Sequence, residues 1–73
     1  MYILSQDKKK IFCFTEGILT VGRNIGGGKD GKFAIFTGEL EILGVYPEEK
    51  NAIDELEKIL TAAEEGKTTY IMN

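Results

Sequence analysis

The stretch LGVYPEEKNAIDELEKILTAAEEG, residues 43–66, decides the fold because its hydrophobic period changes at a proline. Pro47 is expected to end a strand and to take the first position of a helix, where its missing N–H is not needed. Gly66 is suited to end that helix. Apolar residues recur between them at helical spacing, at Ile53, Leu56, Ile59, Leu60 and Ala63. The stretch therefore predicts one amphipathic helix.

Short apolar segments on both sides of this helix predict strands. They are residues 2–5, 11–14, 18–21, 32–36, 39–46 and 68–72. The connections are short, which favours antiparallel pairing. We therefore expect a single α+β domain over residues 1–73: a small, mainly antiparallel β-sheet, one C-terminal amphipathic helix packed on it, and a short final strand.

Composition excludes several kinds of catalytic site. The chain has no histidine and a single cysteine, Cys13, so it has neither a Ser–His–Asp triad nor an intrachain disulfide. Cys13 lies between two phenylalanines in an apolar segment, and we expect it to be a buried, inert side chain. We predict a protein that is not an enzyme, with no catalytic residues, no cofactor and no metal.

Charge is unevenly distributed along the chain. Residues 48–65 carry seven acidic and two basic side chains, a net of −5, which leaves +2 for the remainder of a chain whose total is −3. That is too weak for a binder of duplex nucleic acid, but it allows one small anionic ligand. With no membrane-spanning run, no signal-peptide pattern and a single thiol, we expect a soluble, cytoplasmic protein with no membrane partner.

A glycine-rich segment, GRNIGGGKDGKF at residues 22–33, holds five glycines and three basic residues. It matches G-x-G-x-x-G and G-x-x-x-x-G-K, but both nucleotide-binding motifs need a helix after the loop, and a strand is predicted here. Consecutive glycines still allow backbone N–H groups to converge on an anion. The candidate ligand-binding residues are Arg23, Asn24, Gly26, Gly27, Gly28, Lys29 and Lys32. Alternatively, the segment is only a hairpin connection, for which Asp30-Gly31 is a strong turn signal.

Acidic side chains offer two further interpretations. Glu39 and Glu41 are predicted on one face of a strand, where alternation explains them more simply than acid–base or metal chemistry does. The helix carries a larger acidic set: Glu48, Glu49, Asp54, Glu55, Glu57, Glu64 and Glu65. Its outer face could mimic nucleic-acid phosphates toward a basic partner protein, which gives an alternative function as a protein-binding inhibitor. An exposed strand edge could serve the same role.

The segment IFCF, residues 11–14, has no polar face. Either a bend or bulge turns its residues inward, or a second copy of the chain covers them. Because large exposed apolar patches usually mark interfaces, we favour a homo-oligomer.

The first ten residues, MYILSQDKKK, and LGVYPEEKNAIDELEKIL followed by GKTTYIM resemble a group of small uncharacterised proteins of Gram-positive bacteria and their prophages. The resemblance covers about half of the chain and implies a β-rich body, an acidic helix and a tail strand; the glycine segment departs from it. The chain is also similar in size, and in lacking catalytic residues, to small oligomeric phage proteins that sequester cyclic-nucleotide defence signals. That is an analogy between classes of protein, with no residue-by-residue match. We therefore expect a counter-defence protein that binds a nucleotide without chemistry.

Overall fold

The computed structural model describes residues 1–24 and 32–73 of the chain. These residues form β1 (Tyr2–Leu4), β2 (Ile11–Cys13), β3 (Thr20–Asn24), β4 (Lys32–Phe36), β5 (Ile42–Tyr46), α1 (Glu49–Glu64) and β6 (Thr69–Ile71). The α+β class, with one helix packed on mainly antiparallel strands and a short C-terminal strand, is confirmed.

The strands form two sheets of three strands each, where the sequence predicted one sheet. Sheet A has the order β2-β1-β6, and sheet B has the order β3-β4-β5. Pairs joined by turns are antiparallel, whereas β6 runs parallel to β1 because no tight turn joins these distant segments. Gln6 links the two sheets. Its backbone N–H donates to the Leu43 carbonyl at 2.8 Å, and its side-chain oxygen accepts from the Val45 N–H at 2.7 Å.

The core lies where α1 meets the two sheets. Its buried members are Ile3, Ile35, Leu43, Tyr46, Ala52, Ile59 and Met72. β5 supplies two of them, Leu43 and Tyr46. The pairing of β5 with β4 is irregular, since Ile35 faces Gly44 but Phe36 faces Ile42. Leu43 is the extra residue of this bulge, and it is turned into the core, where it is 2% exposed.

The helix begins later than the sequence predicted. Its first residue is Glu49, and Glu48 is the N-cap, in extended conformation and without a side-chain capping bond. Pro47 therefore precedes the cap and does not occupy the first helical position. The proline still serves as the boundary between β5 and α1, since its ring cannot continue the strand's hydrogen bonding.

The buried face of α1 is displaced by one residue from the predicted one. It consists of Ala52, Glu55, Ile59 and Ala62. Ile53 and Leu60, which the pattern placed on the inner face, are 41% and 60% exposed. Only tertiary packing selects this orientation, because small alanines let the helix approach sheet B closely while the larger residues flank the contact.

The prediction that Cys13 is buried is wrong, because its side chain is exposed. Side chains of a strand alternate between faces, and β2 lies at the edge of sheet A with one face toward the core. Phe12 and Phe14 are half-buried on that side, with ring centroids 6.0 Å apart. Ile11, 69% exposed, shares the outer face with Cys13. A continuous apolar segment thus has one solvent-facing side.

Candidate functional site

The base of the β3–β4 hairpin carries the described part of the predicted ligand site. Arg23 is exposed, and its guanidinium carbon lies 5.3 Å from the centre of the Phe33 ring, directly across the strand pair. The ring face attracts the cation and limits its motion. Arg23 is therefore an exposed, oriented donor at the end of sheet B.

Asn24 and Lys32 form the next pair of the same hairpin. Asn24 is 8% exposed, whereas Lys32 is exposed. Because neighbouring residues of a strand point to opposite faces, Arg23 and Lys32 leave the sheet on opposite sides. An anion bound by both would have to lie beyond the end of the hairpin, where both long side chains can reach. Gly26, Gly27, Gly28 and Lys29 lie outside the described residues.

A buried polar cluster that the sequence did not reveal connects α1 with β6 and with Asn73. Glu55 is 3% exposed. Its carboxylate accepts hydrogen bonds from the Tyr70 hydroxyl at 2.8 Å, from the Asn73 backbone N–H at 2.9 Å and from the Asn73 side-chain amide at 3.2 Å. The Tyr46 hydroxyl donates to the backbone oxygen of Asn73 at 3.0 Å. We call Glu55, Tyr70, Tyr46 and Asn73 the Glu55 cluster.

Burial in this cluster changes the acidity of its tyrosines. The pKa of Tyr70 is raised from 10.0 to about 12, first by burial and then by its hydrogen bond to the Glu55 carboxylate. The pKa of Tyr46 is also raised, mainly by burial and further by the negative charge of Glu55. Both hydroxyls therefore remain protonated donors at neutral pH, which suits a structural role.

The placement of Glu55 on the acidic outer face was wrong. The signal was present in the sequence, since Glu55 lies three residues after Ala52 and four before Ile59, at the spacing of the buried face. The remaining acidic residues of the set are exposed, namely Glu48, Glu49, Asp54, Glu57, Glu64 and Glu65.

Glu39 and Glu41 do not share a strand face, because β5 begins only at Ile42. They lie in the turn between β4 and β5 and line an open pocket of about 330 Å³ above Phe12 and Phe14. The Glu41 carboxylate forms an ion pair with Lys10, with 3.1 Å between Oε2 and Nζ. Among residues 1–24 and 32–73, no group of three His, Cys, Asp or Glu side chains is arranged to hold a metal ion.

The β1–β2 turn, which contains Lys8, Lys9 and Lys10, is held by side-chain hydrogen bonds. The Asp7 carboxylate accepts from the Ser5 hydroxyl at 2.6 Å and from the Lys9 N–H at 3.0 Å. These hydrogen bonds lower the pKa of Asp7 below 3.8, with the Ser5 bond the larger cause. Lys8 donates to the Met72 carbonyl at 2.9 Å, so the turn also helps to fix the segment after β6.

Comparison with protein-family models, curated proteins and solved structures gave no match to this chain. In the part of the chain that the structure describes, α1 is neither long nor apolar enough to cross a membrane.

Proposed function

We propose that the protein binds a small anionic ligand, in the class of nucleotides, at the end of the β3–β4 hairpin, and that it does so without chemistry. The observation that carries this proposal is the exposed Arg23 guanidinium held over Phe33. A guanidinium presents several N–H donors in a planar array that matches phosphate oxygens. Its aromatic support reduces the ordering that ligand binding would otherwise require.

The neighbouring residues support a phosphate-binding role. Lys32 adds a second exposed cation at the same end of sheet B. The intervening segment, residues 25–31, contains four of the five glycines of the glycine-rich stretch, together with Lys29. Glycines permit close approach of backbone N–H groups to an anion. The proposed site thus combines two described cations with a segment whose composition suits phosphate.

The physiological role we propose is sequestration of a nucleotide signal, as a phage-encoded counter-defence protein would perform it. This rests on the size of the chain, its lack of histidine and the class-level analogy with phage nucleotide-binding proteins. The expected ligand is a cyclic nucleotide, which the protein would bind and release unchanged.

Calorimetric titration with a panel of cyclic dinucleotides, cyclic trinucleotides and linear mononucleotides tests this proposal. Arg23→Ala should weaken binding of the best ligand at least ~10-fold, the loss of one or two charge-assisted hydrogen bonds. Lys58→Ala removes an equal charge from the exposed side of α1 and should leave affinity unchanged. Absence of binding up to about 1 mM, or equal affinities of the two variants, would disprove the site.

A second function, inhibition of a host protein through α1, is supported by one observation. Six acidic side chains of the helix region are exposed, which gives a basic partner a negative surface to contact. Because Glu55 is buried, charge reversal must be placed at exposed carboxylates, for which Asp54 and Glu65 are suited. That variant should lose a partner captured by the wild type, whereas Arg23→Ala should retain it; the opposite result would exclude the acidic face.

A further inference from the structure

α1 has a second apolar stripe, outside its buried face. Ile53, Leu56, Leu60 and Ala63 recur at intervals of three, four and three residues, the spacing of a seam between two packed helices. Ile53 and Leu60 are 41% and 60% exposed, Leu56 is half-buried and Ala63 is exposed. We call these four residues the helix seam. A helix side chain at each of these positions can pack against a second helix without disturbing the core.

An apolar groove adjoins the helix seam. Met1, Phe14 and Leu19 form its far wall, and Leu56, Leu60 and Ala63 form the near one; it encloses about 310 Å³. A leucine side chain from another helix fits a groove of this size and character. The groove therefore widens the contact that the seam alone would make.

We propose that the helix seam is the interface of a homodimer, in which α1 packs antiparallel against α1 of a second copy across a twofold axis. The antiparallel arrangement brings Leu56 opposite Leu60 of the other copy, and Ile53 opposite Ala63. Two layers of paired leucines, Leu56 with Leu60 of the other copy, then occupy the centre of the interface. At each end, the large Ile53 packs against the small Ala63 of the other copy. The layers are self-complementary, as a twofold interface requires.

The charges beside the helix seam favour this orientation. The exposed flank consists of Lys50, Glu57 and Glu64, while the other flank, Ala52 and Ile59, faces the core. In the antiparallel arrangement, the exposed flank of one helix lies against the exposed flank of the other. Lys50 of each copy then lies beside Glu64 of the other copy, which gives two ion pairs related by the twofold axis. Only the central Glu57 meets its own equivalent. A parallel pair would place these charges beside buried apolar residues and would gain no ion pair.

The outer face of sheet A is the competing surface. It exposes Tyr2, Ile11 and Ile71, at 56%, 69% and 61%. The residues that share this face are uncharged, so they supply no ion pairs that would select a register for a second copy: Tyr2, Leu4, Ile11, Cys13, Thr69 and Ile71. The observations therefore favour the helix, and sheet A provides the matched control.

Analytical ultracentrifugation of the purified full chain tests the proposal, with a dimer expected at 16.2 kDa, twice the 8.1 kDa of one chain. Leu60→Glu should give a monomer, while Ile11→Glu, at a similarly exposed position on sheet A, should leave the dimer intact. Circular dichroism confirms that each variant is folded. A wild type that is monomeric up to about 1 mM, or dissociation by Ile11→Glu and not by Leu60→Glu, overturns the proposal.

Charge exchange tests the antiparallel register without touching an apolar residue. Lys50→Glu and Glu64→Lys should each weaken the dimer ~10-fold, because each replaces two attractive contacts by repulsive ones. The double variant restores both pairs and should return the affinity to within about threefold of wild type. Failure of the double variant to recover overturns the register. Because none of these residues lies at the hairpin, ligand binding and dimerisation can fail independently.

Discussion

The Glu55 cluster and the β4–β5 turn use similar polar contacts in opposite environments. In the cluster, a carboxylate that is 3% exposed accepts hydrogen bonds from a tyrosine and from Asn73. In the turn, the Lys10–Glu41 ion pair lies at the surface, where the two side chains are 44% and 63% exposed. A group that water cannot reach must be satisfied by the protein, whereas an exposed group has solvent as an alternative. The same kind of contact should therefore carry very different free energies.

The largest effect is expected at Glu55. Glu55→Ala leaves the Tyr70 hydroxyl and the Asn73 donors without their acceptor, and it should lower the free energy of unfolding by about 2–4 kcal/mol. Asp54→Ala, at the neighbouring residue on the exposed side, is the matched control and should change it by less than about 0.5 kcal/mol. Urea denaturation measures both. Similar losses for the two variants would contradict the difference between buried and exposed carboxylates.

Gly44 should give the next largest effect, because its missing side chain makes room for Tyr46. A Cβ added at this position would lie 2.7 Å from the Tyr46 hydroxyl oxygen and 3.1 Å from two ring carbons. Gly44→Ala must displace the ring from its bond to Asn73, at a cost of about 1–3 kcal/mol. Gly38→Ala, in the exposed turn where the nearest atom is 3.9 Å away, should be nearly neutral in thermal unfolding. A neutral Gly44→Ala would show that Tyr46 is not fixed by this packing.

Alkaline pH should destabilise the cluster selectively. The pKa of Tyr70 is about 12 in the folded chain, against 10.0 for an unperturbed tyrosine. The pKa of Tyr46 is raised as well. The folded chain therefore holds these protons more tightly. Their contribution is complete below about pH 10 and is lost between about pH 10 and 12, where the unfolded chain releases its protons. Unfolding free energies measured across this range should fall less steeply in Tyr70→Phe; an equal slope would contradict the coupling.

Leu40 should yield a gain in stability from the exposed turn. It is 76% exposed and has a φ of +66°, a left-handed conformation that a Cβ disfavours. Leu40→Gly should raise the free energy of unfolding by about 1 kcal/mol. Leu40→Ala keeps the Cβ and should give no comparable gain in the same denaturation experiment. Equal behaviour of the two variants would place the effect in the side chain and not in the backbone.

The smallest effect is expected for the ion pair of the turn. Lys10 and Glu41 are 44% and 63% exposed, so their coupling is screened by water. A double-mutant cycle with alanine at both positions should give about 0.5 kcal/mol or less, decreasing with salt. A coupling free energy as large as the stability lost in Glu55→Ala would show that burial does not separate the energetics of the two regions.

The hairpin base shows how far the candidate site could be predicted. Arg23, Asn24 and Lys32 were selected from local composition; Arg23 and Lys32 are exposed, whereas Asn24 is buried. Their departure on opposite faces of the sheet follows from strand register, which composition does not specify. The contact of Arg23 with Phe33 likewise needed the pairing of two strands.

The sequence by itself determined the elements, because their signals are local. Pro47 marked the boundary between strand and helix, hydrophobic spacing predicted α1, and short apolar segments predicted the strands that form an α+β domain. Tertiary structure alone decided which helix face is buried, that the strands divide into two sheets, and that Cys13 is exposed while Glu55 is enclosed. These outcomes depend on contacts between residues far apart in the chain: Glu55 is enclosed because Tyr70 of β6, and Asn73 after that strand, donate hydrogen bonds to it. The spacing of Glu55 from Ala52 and Ile59 is compatible with this burial but does not select it over the neighbouring apolar stripe.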